Sequence, residues 1–144
     1  GGAKKFKDPT QFLVSAMKLA YDGQPITDAK PLLNWLNQMG EPVYGRITPD
    51  GWPLDGASWS GSGQMAARFA VARAIGSGRN RLFMGDVDVP GNARRFPVPA
   101  MDSSLYRTAF KPYLSDATRT ALGKAGSAQE WNTYLLSSPD FNYR

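Results

Sequence analysis

The sequence predicts an all-α fold, an orthogonal bundle of five or six helices with two long ordered loops. Alanine outnumbers valine and isoleucine together by 17 to 9, and the apolar residues recur every three or four positions, which is the spacing of a helical face. The chain also contains 15 glycines and 11 prolines, so irregular segments must separate the helices. Because 144 residues suffice to bury one core, we assign 1–144 to a single helical domain.

The first helix has clear start and stop signals. Asp8, Pro9 and Gln11 match an N-cap, a proline in the first turn and a capping partner. The helix is predicted to end at Tyr21, before Gly23. Its apolar face consists of Phe12, Ala16 and Leu19.

Two further helices follow. The second is predicted to begin after Thr27, whose hydroxyl would cap it, and to end at Gly40. Its apolar residues stand at positions i, i+3, i+4 and i+7 and are Leu32, Trp35, Leu36 and Met39. The third helix is predicted over residues 63–75 and ends at Gly76. Its predicted inward face consists of Met65, Phe69 and Ala72.

The rest of the chain is predicted as a long loop followed by short helices. Residues 76–100 show no sustained period, although RLFM at 81–84 suits a short strand or an apolar contact with the core. Three short helices are predicted over 103–110, 115–124 and 127–137. Ser127 and Glu130 form a capping box, and Pro139 marks the end of the last helix. Because its inward side chains are large, this helix must dock on the bundle; they are Trp131, Tyr134 and Leu135.

The composition excludes several kinds of site. The chain has no cysteine and no histidine, which rules out disulfides, zinc fingers, thiol nucleophiles and histidine-based triads. Asp86 and Asp88 lack the ligand spacing of a calcium loop, so we predict no metal and no cofactor. No apolar run reaches the roughly 18 residues of a membrane span, and no leader opens the chain. Gly1 and Gly2 suggest a cut edge, so we expect a piece of a longer protein.

Residues 39–59, here called the Trp-rich segment, combine turn residues with large aromatic side chains. PDG at 49–51 suits a turn, and WP at 52–53 imposes an extended step after it. The candidate binding residues offer flat faces or polar contacts to a sugar or peptide and are Tyr44, Arg46, Asp50, Trp52, Asp55, Trp59 and Arg68. The alternative is that the tryptophans fill a core short of aliphatic residues, which is the commoner use of tryptophan.

The same segment carries a family resemblance. The motifs are MGEPVY at 39–44, TPDGWPL at 48–54 and GQMAARF at 63–69, flanked by FKDP at 6–9 and LLSSPDFNYR at 135–144. Together they resemble the C-terminal part of the bacterial family called domain of unknown function 1800, over almost the whole chain. The resemblance implies the C-terminal helical part of a longer exported protein, periplasmic or extracellular. It supplies no catalytic residue.

Two other functions stay open at this point. Asp50 and Asp55 lie five residues apart and could converge as a carboxylate pair acting on glycans, with the site completed by upstream sequence, although turn aspartates more often bond their own backbone. The net charge is +5, and an arginine-rich region could bind a polyanion. It contains Arg68, Arg73, Arg79, Arg81, Arg94, Arg95 and Arg107 against Asp86, Asp88 and Asp102. Nucleic acid is disfavoured because no basic run accompanies these residues, whereas acidic polysaccharide stays open.

The sequence as a whole favours a non-catalytic helical module that acts in interaction or scaffolding. Its expected partner is the rest of its own longer chain or a co-exported protein, with a glycan as the alternative. Because neither histidine nor cysteine is present, the isolated chain is expected to turn over no glycan, ester or phosphate substrate.

Overall fold

The computed structural model describes residues 5–22, 24–40, 62–82 and 98–143. In these ranges the chain forms seven α-helices and one 3-10 helix and contains no strand, which confirms the all-α prediction. The α-helices are α1 (Pro9–Tyr21), α2 (Lys30–Gln38), α3 (Ser62–Gly76), α4 (Ser104–Ala109), α5 (Asp116–Gly123), α6 (Ala128–Ser137) and α7 (Pro139–Asn142). The 3-10 helix (Lys111–Tyr113) lies between α4 and α5.

Helices α3 and α6 form the centre of the bundle. They pack extensively against each other, α1 packs against α3 and α2, and α5 packs against α6. Val71 and Ile75 on α3 and Leu135 and Leu136 on α6 have no exposed surface, and Phe12 of α1 is equally buried. The core therefore lies between helices that are far apart in the sequence.

The helix starts follow the sequence signals closely. The Asp8 carboxylate accepts from the Gln11 amide at 2.8 Å, and the Gln11 side chain accepts from the Asp8 amide at 3.0 Å, so the predicted capping box is confirmed. Serines cap α4, α5 and α6, and they are Ser103, Ser115 and Ser127. The capping box predicted at α6 is only half formed: Ser127 accepts from the Glu130 amide at 3.1 Å, but the Glu130 carboxylate accepts from the Gly126 amide at 2.7 Å and not from that of Ser127. The last turn of the chain adds α7 to the predicted set.

The predicted cap of α2 is wrong. The N-cap residue is Ala29, which makes no side-chain cap hydrogen bond. The Thr27 hydroxyl instead donates to the Leu82 carbonyl at 3.0 Å, and the Thr27 and Asp28 amides donate to the same oxygen at 2.8 and 3.0 Å. The Thr27 hydroxyl therefore donates to a distant carbonyl, whereas in the predicted cap it would accept from a nearby helix amide. The predicted end of the helix is confirmed, because Gly40 has φ 82°, the left-handed conformation that favours glycine after a helix.

The predicted inward face of α3 is also wrong. Of its three residues only Ala72 is buried, and Phe69 keeps 43% of its surface exposed. The face that packs inward is shifted around the helix and consists of Gln64, Arg68, Val71, Ala72 and Ile75. Gln64 and Arg68 are polar, so the pattern of apolar residues predicts that their side of the helix faces solvent. Their side chains are buried because they bond to groups elsewhere in the chain.

The C-terminal segment is an integral part of the fold, as predicted. Phe141 has no exposed surface, and its ring lies 5.7 Å from that of Phe12 and 5.5 Å from that of Phe110, measured between centroids. Most of the two predicted long loops, residues 41–61 and 83–97, lies outside the described residues, so the expectation that they are ordered stays a prediction. Leu82, just before residues 83–97, and Met101, a few residues after them, are both buried.

Candidate functional site

A buried polar cluster surrounds Arg68, and we call it the Arg68 node: Lys7, Gln64, Arg68 and Asn142, with Met39 bonded to Gln64. Arg68 projects from α3 and has no exposed surface. Its Nε donates to Gln64 Oε1 at 2.9 Å, its Nη1 donates to Asn142 Oδ1 at 3.0 Å, and its Nη2 donates to the Lys7 carbonyl. One guanidinium thus joins α3 to residues near both ends of the chain.

Two aromatic rings enclose the guanidinium. Its central carbon lies 4.1 Å from the centroid of Phe6 and 5.1 Å from that of Phe12. A cation over an aromatic face is attracted by the ring quadrupole, and the attraction is stronger where water is excluded. The planar guanidinium can bond at its edge and stack on its faces at once, which the compact lysine ammonium cannot do.

The two chain ends pair beside this node. The Lys7 amide donates to the Asn142 carbonyl at 2.7 Å, and Phe6 and Tyr143 form an isolated antiparallel bridge with ring centroids 5.1 Å apart. The Lys7 ammonium lies 4.2 Å from the centroid of Phe141. The side-chain amide of Asn142 also donates to the carbonyls of Leu136 and Ser138. These bonds fix the orientation of the Asn142 oxygen that accepts from Arg68.

The node also holds the Trp-rich segment at its base. The Gln64 side chain donates through Nε2 to the Met39 carbonyl at 2.5 Å. Met39 is the first residue of the segment and is fully buried, and Gln64 stands five residues after its end. This hydrogen bond therefore joins the first residue of the segment to the helix that follows the segment.

A second polar contact fixes the other end of α3. The Tyr21 hydroxyl donates to the Ile75 carbonyl at 3.1 Å and accepts from the Asn80 amide at 2.9 Å. Burial raises the pKa of Tyr21 above its usual value, an effect that the hydrogen bond from Asn80 partly reverses. The neutral phenol is therefore the form that suits this position.

The structure places one of the seven predicted binding residues. Arg68 lies inside the node, and the other six lie outside the described residues: Tyr44, Arg46, Asp50, Trp52, Asp55 and Trp59. Sequence reasoning missed Gln64 and Asn142. The spacing of Gln64 and Arg68 is i, i+4 on one helix, which could have suggested a bonded pair, whereas nothing local identifies Asn142 as the partner of a residue 74 positions away.

The arginine-rich region divides into several environments. Arg68 is buried, and Arg107 pairs with the Asp102 carboxylate at 3.2 Å on the surface. The exposed ones in the described ranges are Arg73, Arg79, Arg81 and Arg107. Arg94, Arg95, Asp86 and Asp88 fall in residues 83–97, outside the described part.

One cleft, of about 490 Å³, lies between the segment before α4 and the start of α6. Met101 and Trp131 contribute apolar surface to its lining. Asn132 fixes its floor, because its amide donates to the carbonyls of Gly76 and Pro99, both at 2.9 Å. In the described part of the chain, no three acidic side chains gather where they could hold a metal ion. The helices described there include none long and apolar enough to cross a membrane.

Comparison with known proteins gives a family. A family model described as "Protein of unknown function (DUF1800)" matches residues 2–143, which is nearly the whole chain. Neither a curated protein nor a solved structure matches the sequence. The resemblance that the motifs at 39–54 and 63–69 indicate is thereby confirmed, and the chain belongs to the DUF1800 family.

Proposed function

We propose that this chain is a non-catalytic helical module of a longer, exported bacterial protein, and that it acts in interaction or scaffolding through its Trp-rich segment. Its partner is the rest of that protein or a co-exported protein. The periplasmic or extracellular location rests on the family resemblance. The observation that carries the proposal is the hydrogen bond from Gln64 to the Met39 carbonyl, because it joins the first residue of the segment to the helix that follows the segment.

This hydrogen bond has an energetic consequence. Closing a loop costs conformational entropy, and this entropy is lost when the bundle folds, before a partner binds. Arg68 fixes the orientation of the Gln64 side chain, because its Nε donates to the amide oxygen of Gln64 while the amide nitrogen donates to the Met39 carbonyl. A segment presented from a fixed base loses less freedom on binding, which favours affinity.

The experiment measures association in trans. The residues that precede this chain in its open reading frame are expressed as a separate polypeptide and titrated with the chain by calorimetry. We expect a saturable complex that Trp59→Ala or Arg46→Ala weakens about tenfold or more, since interface energy concentrates in a few aromatic and arginine residues. Tyr113→Ala is the matched control, because Tyr113 is an aromatic residue on the 3-10 helix and is 76% exposed.

Three outcomes would contradict the proposal. The first is an open reading frame that encodes nothing before this chain. The second is a lack of association, or equal binding by the parent and both segment variants while circular dichroism shows the same fold. The third is turnover of a glycan by the isolated chain that Asp50→Asn abolishes, which would instead support an enzyme.

A further inference from the structure

A second cleft lies between the 3-10 helix, α5 and the start of α6, and it shares Trp131 with the first. Its volume is about 260 Å³. Leu114 and Leu122 are buried in its floor, and Trp131 forms a half-buried wall. The ring of Tyr106 braces this wall in an edge-on contact, with centroids 4.9 Å apart. The floor and this wall of the cleft are therefore apolar and are held in place by packing.

Two cations stand at this cleft, Lys111 and Arg119. The guanidinium of Arg119 is fixed by the backbone, because Nε donates to the Leu114 carbonyl and Nη2 donates to the Lys111 carbonyl, both at 3.2 Å. These bonds use two of the five N–H donors of an arginine. Among the residues that the structure describes, no carboxylate lines the cleft or lies within 4.0 Å of either cationic group.

Tyr106 lines the cleft together with Arg119, and charged groups of both signs act on its hydroxyl. Burial raises the pKa of Tyr106 and the nearby Asp102 carboxylate raises it further, while the positive charge of Arg119 lowers it. The Asp102 carboxylate thus acts more strongly than Arg119 on the Tyr106 hydroxyl. The attraction of the cleft for an anion therefore rests on Lys111 and on the remaining donors of Arg119.

We propose that this cleft binds a small organic anion that carries one apolar ring, of the class of aromatic carboxylates. The ring would lie against Trp131 and the two leucines, and the carboxylate would meet Lys111 and the remaining donors of Arg119. Ligand pockets for drug-sized molecules span about 300–1,000 Å³, so this smaller cleft suits a single ring with a short acidic arm. None of its lining residues belongs to the Trp-rich segment, and the inference goes beyond the proposed scaffolding role.

The chain offers a way to close the cleft without disturbing the fold. Gly123 lines it, and a Cβ added at Gly123 would meet no atom within 4 Å. Gly123→Leu would therefore add a large side chain at the cleft lining without a steric clash of its Cβ. Gly63 on α3 is exposed and equally open, so Gly63→Leu is the matched control.

The test uses the whole chain and 3-phenylpropionate as the probe. Two-dimensional NMR follows the Trp131 indole N–H, assigned with Trp131→Phe, and the amide of Leu122. We expect both signals to shift saturably with the probe. We expect 3-phenylpropanol, which lacks the charge, and acetate, which lacks the ring, to bind at least about fivefold more weakly.

Variants separate the two parts of the recognition. Gly123→Leu is expected to abolish the shifts, and Lys111→Gln to weaken binding about fivefold or more. Gly63→Leu and Lys18→Gln, an exposed lysine on α1, are expected to bind as the parent does. The proposal is overturned if neither signal shifts, if Gly123→Leu binds like Gly63→Leu, or if the neutral alcohol binds as tightly as the carboxylate.

Discussion

Replacing Arg68 by methionine tests whether the Arg68 node holds the fold together. Methionine keeps an unbranched side chain between Phe6 and Phe12 but removes every donor of the guanidinium. The change leaves three acceptors without this partner: the Gln64 amide oxygen, the Asn142 amide oxygen and the Lys7 carbonyl. Its effect should therefore reach both ends of the chain.

The magnitude follows from these groups. A buried acceptor left unsatisfied costs about 1–3 kcal/mol, so three of them cost roughly 3–9 kcal/mol. Removal of a buried charge offsets several kcal/mol of this, because the guanidinium no longer has to be taken out of water. We expect a net loss of about 2–4 kcal/mol in the free energy of unfolding. For a domain of this size that lowers the melting temperature by roughly 6–15 °C.

Two measurements check this expectation. Thermal unfolding followed by circular dichroism gives the change in stability, and amide hydrogen exchange gives its location. The Lys7 amide, which donates to Asn142, should lose protection in Arg68→Met. Arg73→Met is the control, because Arg73 lies five residues along the same helix and is exposed, so its removal should change stability by at most about 0.5 kcal/mol.

One result would refute the reasoning about the node. If Arg68→Met melts within the range of Arg73→Met and the Lys7 amide stays protected, the guanidinium does not join the chain ends. The role of Gln64 as anchor of the Trp-rich segment would then need support from elsewhere.

Three further predictions concern packing and pH. Gly76→Ala should lower stability by about 1–3 kcal/mol, because its Cβ would lie 2.9 Å from that of Asn132, whereas Gly123→Ala, with open space, should not. Deletion of residues 127–144 should abolish cooperative melting, since it removes α6 and α7 from the core. Burial raises the pKa of Tyr21 in the folded state above 10.0. The contribution of Tyr21 to the free energy of unfolding is therefore complete below pH 10 and is lost as the pH rises through the folded pKa.

Each of these has its own check. Equal melting temperatures for the two glycine variants would show that α3 and α6 do not approach closely at Gly76. A truncated chain that stays monomeric and melts at the parent temperature would place α6 outside the core. For Tyr21, the melting temperature should fall less steeply with pH between pH 8 and 11 in Tyr21→Phe than in the parent. Identical pH dependences would contradict the assignment.

The sequence by itself determined where most helices begin and end. The Asp8 box and the cap of Ser127 depend on hydrogen bonds between residues three apart, so the pattern is contained in a few neighbouring letters. The left-handed Gly40 after α2 is equally local, because it depends on the absence of a side chain. The motifs at 39–54 also sufficed to indicate the family.

Only the tertiary structure decided which groups the helices bury and what they bond. Threonine is a common N-cap residue, but the Thr27 hydroxyl instead donates a hydrogen bond to a backbone carbonyl 55 residues away. Arg68 has the character of a surface residue, and its burial depends on acceptors 61 and 74 residues away together with two aromatic rings. The spacing of apolar residues cannot identify such partners, because it depends only on the polarity of positions along one helix. A buried charge is favourable only when distant parts of the chain supply its hydrogen bonds, and the fold alone brings those parts together.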